Sequence, residues 1–209
     1  KIMITGNPVR SAIAEAKLSR ADGLKFFSLE ENKKTVLIVG GSLGAKSINE
    51  AIGKNLDQLL NAGLQLIWQT GKPYAAKAKE QIAGKRSIWV NDFITQMEYA
   101  YAAADIVVAR SGAMTVAELC VVKKPVLFVP YPFAAEDHQT VNAMQLVNKH
   151  AALMIKDADA PDKLVPITID LAKDENWQGQ LKNNIATLAI TDADRVIANE
   201  ILKTANPAS

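Results

Sequence analysis

Apolar stretches and amphipathic stretches alternate along the chain. The stretch TVLIVGG at 35–41 is β-branched and apolar up to its two glycines, which is typical of a parallel strand buried on both faces. Four later stretches share this pattern, and a fifth shows it more weakly. We therefore predict strands at 35–41, 63–71, 86–93, 104–112 and 124–132, with a weaker sixth strand at 151–157.

Segments with helical periodicity separate these strands. Within 45–62, the side chains of Ile48, Ile52 and Leu56 recur at the spacing of one helix face. The chain also becomes mostly helical after Pro161. The predicted helices cover 45–62, 75–83, 95–104, 115–122, 138–150 and 194–205.

This alternation predicts an α/β fold, namely a Rossmann-like, doubly wound parallel sheet of about six strands with helices on both faces. The opening of the chain differs, because 5–10 is rich in turn-forming residues and 18–34 lacks a clear period. We therefore expect 1–34 to be a hinge or linker with an irregular lead-in. A single Rossmann-like domain is expected over 35–209.

Composition and charge narrow the possible partners and the cellular setting of the chain. The 209 residues carry 24 Lys+Arg against 22 Asp+Glu, a net charge of +2, which creates no strong field for nucleic acid. Cys120 is the only cysteine, so we expect no disulfide, no thiolate metal site and a reduced, cytoplasmic setting. No apolar run reaches about 18 residues, so no transmembrane helix is predicted. Because Lys1 is not an initiator residue, we expect a piece of a longer chain.

The stretch GGSLGA at 40–45 follows the first predicted strand and opens a helix. Glycines let the backbone approach a phosphate, and a helix N-terminus offers free N–H groups and a positive dipole end. Ser42 adds a hydroxyl. The spacing matches neither the dinucleotide fingerprint nor a P-loop. The sequence favours phosphate binding here, and a glycine turn required for packing alone is the alternative.

The stretch VARSGAMTVAELC at 108–120 passes from a strand into a helix with Arg110 at the turn. Ser111 or Thr115 is the expected N-cap. Glu118 is placed to face the same crevice, where a carboxylate suits a ribose diol. From the residues alone, a first-turn glutamate favoured by the helix dipole is the better interpretation.

Two further strand ends carry weaker signals. Phe93 and Ile94 in 91–97 are placed to clamp a flat base, although core packing is the more common role for such a phenylalanine. The loop 130–143 opens a helix with polar residues that suit sugar hydroxyls, or else form an acidic first turn capped by Asp137. No Ser/His/Asp set and no metal-ligand cluster is recognisable, and the triplet at 157–159 is interpreted as an acidic loop.

Together these motifs resemble the MurG family of glycosyltransferases. TGNPVR, VGGSLGA, FI with M three residues on, RSGAMTVAEL, KPVLFVPYP and DHQTVNA occur in that family's order, over residues 5 to about 202. The resemblance implies the C-terminal, UDP-GlcNAc-binding half of a two-domain GT-B enzyme. That enzyme transfers N-acetylglucosamine to a lipid-linked muramyl-pentapeptide in peptidoglycan synthesis.

The resemblance also implies roles for single residues. Ser42 would contact a phosphate of UDP, the Ile94 backbone would pair with the uracil edge, and Glu118 would hold the ribose hydroxyls. Gln139 would contact the GlcNAc ring, and His138 stands where some members have glutamine. The full implied substrate-binding set is Arg10, Ser42, Ile94, Arg110, Ala113, Met114, Thr115, Val116, Glu118, His138 and Gln139.

The resemblance further implies an inverting transfer that needs no metal or other cofactor. The catalytic base and the lipid-acceptor site would lie in the N-terminal half, so this chain would contribute no catalytic residue and would be inactive alone. Its partners would be UDP-GlcNAc, that N-terminal half and, through it, the lipid acceptor. The parent enzyme would be peripheral on the cytoplasmic face of the bacterial inner membrane.

Three other interpretations remain open. One is a GT-B transferase that uses another UDP-sugar and a lipid acceptor such as diacylglycerol. A non-catalytic Rossmann module that binds a dinucleotide is weakened by the second strand, which ends WQTG at 68–71 without a carboxylate for the adenosine ribose. The third is a scaffold domain that binds no nucleotide.

Overall fold

A single parallel sheet forms the centre of the molecule. The computed structural model describes residues 2–205, apart from the side chain of Thr204. All six strands are parallel, and they lie in the order β3-β2-β1-β4-β5-β6. The predicted doubly wound α/β fold is therefore confirmed. The strands are β1 (Lys34–Val39), β2 (Leu64–Gln69), β3 (Ile88–Asn91), β4 (Ile106–Ala109), β5 (Val126–Phe128) and β6 (Leu153–Met154).

Eleven helices within the described residues cover the sheet or connect to it. Two short 3-10 turns, at 135–137 and 157–159, precede the eighth and ninth of them. The helices are α1 (Ser11–Ala14), α2 (Arg20–Phe27), α3 (Lys46–Lys54), α4 (Leu56–Asn61), α5 (Lys72–Gln81), α6 (Met97–Ala103), α7 (Ala113–Val122), α8 (His138–Val147), α9 (Ala160–Lys173), α10 (Glu175–Ala186) and α11 (Ala193–Ala205).

Two apolar cores lie on opposite faces of the sheet. Along β1, Val36 and Ile38 point into the core under α3, α4 and α9, whereas Leu37 and Val39 point into the core under α2, α6 and α7. Because successive strand residues face opposite sides, a strand covered on both faces needs apolar side chains on both faces. This requirement explains the continuous apolar runs by which the strands were predicted.

The lead-in contains two helices that the sequence analysis did not predict, the short α1 and the longer α2. Helix α2 begins at a capping box, in which Ser19 accepts from the Asp22 N–H and Asp22 accepts from the Ser19 N–H. It packs on α6 through buried side chains, among them Leu24. Gly23 allows the close approach, since a Cβ there would lie 2.5 Å from the Ala103 nitrogen. The expectation that 18–34 is irregular is therefore wrong for 20–27, where packing on α6 and capping outweigh the weak periodicity.

The predicted helix 45–62 is two helices. Asn55 separates α3 from α4, with φ −118° and ψ 23°. Its side-chain amide donates to the Ala51 carbonyl at 2.8 Å, a local bond that competes with the helical ladder. No helix within residues 2–205 is both long enough and apolar enough to span a membrane.

The ends of the predicted domains are only partly described. Lys1 and residues 206–209 lie outside the described residues. The division of the chain at 34/35 stays a prediction.

Candidate functional site

The main cleft lies at the carboxyl ends of β1 and β4. These strands are neighbours, yet the chain continues from β1 toward one edge of the sheet and from β4 toward the other. Such a switch point leaves a crevice between the two following loops, and ligands of open α/β sheets bind there. The cleft encloses about 840 Å³, and the loops after β1, β4 and β5 line it.

The glycine-rich loop after β1 forms a tight turn at the floor of this cleft. The Gly44 N–H donates to the Gly41 carbonyl at 2.9 Å. Gly44 has φ +76°, and a Cβ there would lie 2.0 Å from the Thr70 carbonyl oxygen, so only glycine fits. Gln69 Nε2 holds the turn by donating to the Gly41 carbonyl at 3.0 Å. Ser42 stands exposed at the tip, and no side chain caps the N-terminus of α3.

Helix α7 presents a second uncapped N-terminus to the cleft. It begins at Ala113, two residues earlier than predicted, with Gly112 as N-cap and no side-chain cap. The expectation that Ser111 or Thr115 caps it is wrong, because buried Ser111 instead donates to the Gln139 carbonyl at 2.8 Å. The first-turn N–H groups of a helix have no partner within it. Backbone donors of α3 and α7 therefore border the same cleft, as an anion site requires.

Glu118 is the buried carboxylate of the site. The residue is 9% exposed, and its Oε2 accepts a hydrogen bond from the Tyr101 hydroxyl at 2.8 Å. Its Oε1 lies 3.4 Å from Nη2 of Arg10, whose side chain is 57% exposed. Burial, and next the neighbouring Glu118 carboxylate, raise the pKa of Tyr101 well above its ordinary value. One carboxylate oxygen is therefore bound by a buried donor, and the other is paired only with an exposed side chain.

A smaller pocket of about 160 Å³ adjoins the main cleft through Ser42 and Thr115. Its walls include Ile94 and Phe93, and Glu118 also faces it. Phe93 is 50% exposed, so the interpretation of this residue as core is wrong. Across residues 2–205, nothing hydrogen-bonds to the backbone of Ile94. A flat ring in this pocket would find apolar walls and free backbone groups together.

Arg110 lies in the main cleft but is engaged by the protein. Its Nη1 donates to the carbonyls of Val129 and Pro130, each at 2.9 Å, and it forms an ion pair with Asp157. Its Nη2 donates to the Ser47 hydroxyl at 3.1 Å. The guanidinium therefore ties the loop after β5 to α3 and to the turn after β6. A diphosphate contact by Arg110 stays a prediction.

The loop before α8 shapes the far wall of the cleft. Glu136 and Asp137 both have φ +51°, a left-handed conformation that is strained for residues other than glycine. Asp137 does occupy the N-cap position of α8, but its carboxylate accepts from the Thr140 hydroxyl rather than from a backbone N–H. Gln139 Oε1 accepts from the Tyr131 N–H at 3.0 Å, which orients its amide in the cleft.

The structure brings together some of the predicted site residues and separates others. Arg10, Ser42 and Ile94 meet Thr115 and Glu118 in the small pocket. The side chains of Ala113 and Val116 line a different pocket, between α7 and α8. Met114 and His138 line none of these three cavities. The exposed His138 contacts the Ala135 carbonyl through Nδ1 at 2.7 Å.

The sequence analysis did not identify several residues of the site. Tyr101 gave no signal, because a tyrosine in an amphipathic helix is indistinguishable from its neighbour Tyr99. Gln69 was available as a polar residue at a strand end, the same criterion that singled out Arg110. Asp157 was interpreted only as part of an acidic loop, although it pairs with Arg110 and Ser47. Within the described residues, no three His, Cys, Asp or Glu side chains are grouped to hold a metal ion.

The sheet order and the two uncapped helices at its switch point define a Rossmann-like domain of the kind found in GT-B glycosyltransferases. The chain belongs to the family described as "Glycosyltransferase family 28 C-terminal domain", which matches residues 35–198. The resemblance drawn from the motifs is thereby confirmed.

Two curated relatives carry the name UDP-N-acetylglucosamine--N-acetylmuramyl-(pentapeptide) pyrophosphoryl-undecaprenol N-acetylglucosamine transferase. The one from Parabacteroides distasonis is 48% identical over 97% of this chain and 56% of its own length. The one from Phocaeicola vulgatus is 46% identical over 99% of this chain and 56% of its own length. The chain therefore spans about half the length of the relatives that it matches.

Solved structures agree with this assignment. A crystal structure of MurG from Acinetobacter baumannii superposes with a TM-score of 0.76 at 28% identity, covering 93% of this chain and 55% of that one. A UDP-GlcNAc 2-epimerase from Neisseria meningitidis bound to UDP-GlcNAc gives a TM-score of 0.61 at 14% identity, over 88% of this chain and 48% of that one. The second likeness shows the fold alone.

Proposed function

We propose that this chain is the donor-binding half of an inverting glycosyltransferase that transfers N-acetylglucosamine from UDP-GlcNAc to a lipid-linked muramyl-pentapeptide. The observation that carries the proposal is the placement of Glu118. It is a buried carboxylate that faces the small pocket beside Ser42 and the uncapped helix α7. A carboxylate is a poor neighbour for phosphate but a good acceptor for two ribose hydroxyls. The names of the relatives support the choice of donor and acceptor.

Each part of the donor has a matching part of the cleft. The diphosphate would lie over the Gly41–Gly44 turn and the N-termini of α3 and α7, whose N–H groups favour negative charge. The uracil would enter the small pocket and pair with the free backbone of Ile94. The sugar would reach Gln139, whose amide oxygen already accepts from Tyr131, so that its NH₂ group is left to donate.

The chemistry assigned to this half is stabilisation of the leaving group. As the acceptor hydroxyl attacks the anomeric carbon, negative charge grows on the departing UDP. Preorganised backbone donors at two helix ends stabilise that charge without having to reorganise. The base that removes the acceptor proton would belong to the N-terminal half, which also completes the acceptor site. We infer that the whole enzyme works on the cytoplasmic face of the bacterial inner membrane.

Calorimetric titration with UDP-GlcNAc, UDP-glucose, UDP and NAD tests this assignment. We expect UDP-GlcNAc to bind more tightly than UDP-glucose and NAD not to bind. Glu118→Ala should weaken UDP about tenfold or more, which corresponds to roughly 1.4 kcal/mol for a lost charge-assisted hydrogen bond. Glu15→Ala, at an exposed glutamate that lines neither cavity, is the control and should bind like the unaltered chain.

Other outcomes would contradict specific parts of the proposal. A preference for UDP-glucose would indicate a transferase with another donor. Tighter binding of NAD would indicate a dinucleotide module. If no nucleotide binds, fusing the chain to the N-terminal half of the Parabacteroides distasonis relative and repeating the titration decides the matter. If that fusion also binds none of the nucleotides, the proposed function is overturned.

A further inference from the structure

A buried tyrosine holds the carboxylate that the proposed function assigns to the ribose. Tyr101 lies on α6 and is 2% exposed, and its hydroxyl donates to Oε2 of Glu118 at 2.8 Å. Among the residues that the structure describes, the other carboxylate oxygen, Oε1, has only the longer 3.4 Å contact with the largely exposed Arg10. One oxygen of Glu118 is therefore anchored in the interior, and the other is held only loosely, by an exposed side chain that lines the same small pocket.

The hydrogen bond from Tyr101 fixes the orientation of the Glu118 side chain before a ligand binds. A glutamate side chain has three rotatable torsions, and freezing them costs conformational entropy when a ligand binds. A hydrogen bond to an ionised acceptor is shorter and stronger than one between neutral groups, so a single donor suffices to select one orientation. Because the pKa of Tyr101 is raised by burial and by the adjacent carboxylate, its phenol stays protonated and remains a donor at neutral pH.

We propose that Tyr101 is a positioning residue for ribose recognition, holding Glu118 so that its second oxygen is presented to the ribose hydroxyls. The inference rests on the proposed function. It adds a residue from a helix that contributes none of the predicted contacts. Tyr101 itself would not need to touch the nucleotide.

A comparison of two ligands in three chains tests this role. UDP and 2′,3′-dideoxyuridine diphosphate differ only in the hydroxyls that Glu118 would hold. We expect Tyr101→Phe to weaken UDP about tenfold, the scale of a lost hydrogen bond to a charged group, and to change the dideoxy ligand less than about twofold. The control is Tyr99→Phe, which removes the same atom from the same helix, where Tyr99 stacks on Phe26 at 4.5 Å. It should change neither affinity.

The ratio of the two affinities separates positioning from a general structural effect. If Tyr101 only supports the fold, Tyr101→Phe weakens both ligands equally, and the inference is overturned. Glu118→Gln distinguishes a failure of the ribose assignment of Glu118 from a failure of the positioning role of Tyr101. If it leaves the preference for UDP over the dideoxy ligand intact, the ribose assignment of Glu118 fails and the inference fails with it. If it removes that preference while Tyr101→Phe does not, only the inference fails.

A measurement on the unaltered chain covers the case in which Tyr101→Phe does not fold. With ¹³C-labelled tyrosine, the Cζ signal of Tyr101 reports the hydrogen bond of its phenol. We expect UDP to shift this signal, because ribose hydroxyls compete for the charge on Glu118, and the dideoxy ligand to leave it in place. Equal responses to the two ligands would overturn the inference.

Discussion

The two ends of the parallel sheet are built for different purposes. At the amino end, Asp105 accepts from Arg20 Nη2 at 2.9 Å and from the Thr35 N–H at 2.8 Å, and Lys124 Nζ donates to the Ala104 carbonyl at 2.7 Å. At the carboxyl end, α3 and α7 begin beside the cleft without a side-chain cap, and nothing within residues 2–205 bonds the Ile94 backbone. Polar side chains are paired at the amino end, whereas backbone groups are left without a partner at the carboxyl end.

The comparison shows where stability and binding reside in one domain. Buried polar groups stabilise a fold only when they are paired, so the amino end is closed by internal bonds. A ligand site needs donors whose partners arrive later, so the carboxyl end leaves them free. Changes at the amino end should therefore affect unfolding alone, whereas changes at the carboxyl end should affect ligand affinity, whether or not they also affect unfolding.

The largest effect is expected at the glycine turn. Gly44→Ala should lower the free energy of unfolding by about 3 kcal/mol or more, because it adds a left-handed alanine and a clash with the Thr70 carbonyl. It should also abolish UDP binding. Gly63→Ala is the matched control, since Gly63 has φ +79° but open space around it, and it should cost only about 1 kcal/mol. Urea denaturation measures both, and equal losses would refute the clash.

The next effect concerns the amino end. Asp105→Ala should destabilise the chain by about 2–3 kcal/mol, because it leaves the Thr35 N–H without its acceptor and removes the carboxylate that pairs with Arg20. UDP affinity should stay within about twofold. Asp57→Ala, which breaks the more exposed pair with Lys85, should cost at most about 1 kcal/mol. If Asp105→Ala lost more UDP affinity than Asp57→Ala, the division of roles between the two ends of the sheet would be contradicted.

The pH dependence of stability provides a second test of the amino end. Burial lowers the pKa of Lys124 from 10.5 to about 8. Between these values the unfolded chain binds the proton and the folded chain does not, so stability from this group rises with pH. From pH 8 to 10, the free energy of unfolding should rise by about 1–2 kcal/mol more in the unaltered chain than in Lys124→Met. Parallel curves for the two proteins would rule out this titration.

The smallest effect is expected at Gln69. Gln69→Leu removes the donor that holds the Gly41 carbonyl, which should weaken UDP about fivefold while lowering stability by about 1 kcal/mol. Gln81→Leu, on α5 away from the cleft, is the control and should leave UDP affinity unchanged. Equal affinities in the two variants would show that the turn does not depend on Gln69.

The sequence predicted much of the fold and part of the candidate site. Helix α2 was missed because Gly23 weakens its periodicity while allowing it to approach α6. The N-cap of α7 was assigned to the wrong residue because Ser111 bonds a loop 28 residues away in sequence. Both errors concern contacts between distant segments, which local propensity does not contain.

By itself, the sequence determined the parallel sheet and the glycine turn. Strands buried on both faces need apolar side chains on both faces, and a left-handed turn against a backbone carbonyl admits only glycine. Only the tertiary structure decided which polar groups meet. Tyr101 reaches Glu118 across 17 residues of sequence, and Arg110 reaches Asp157 across 47. Hydrogen bonds and ion pairs depend on distances of a few ångströms between side chains, and folding sets those distances.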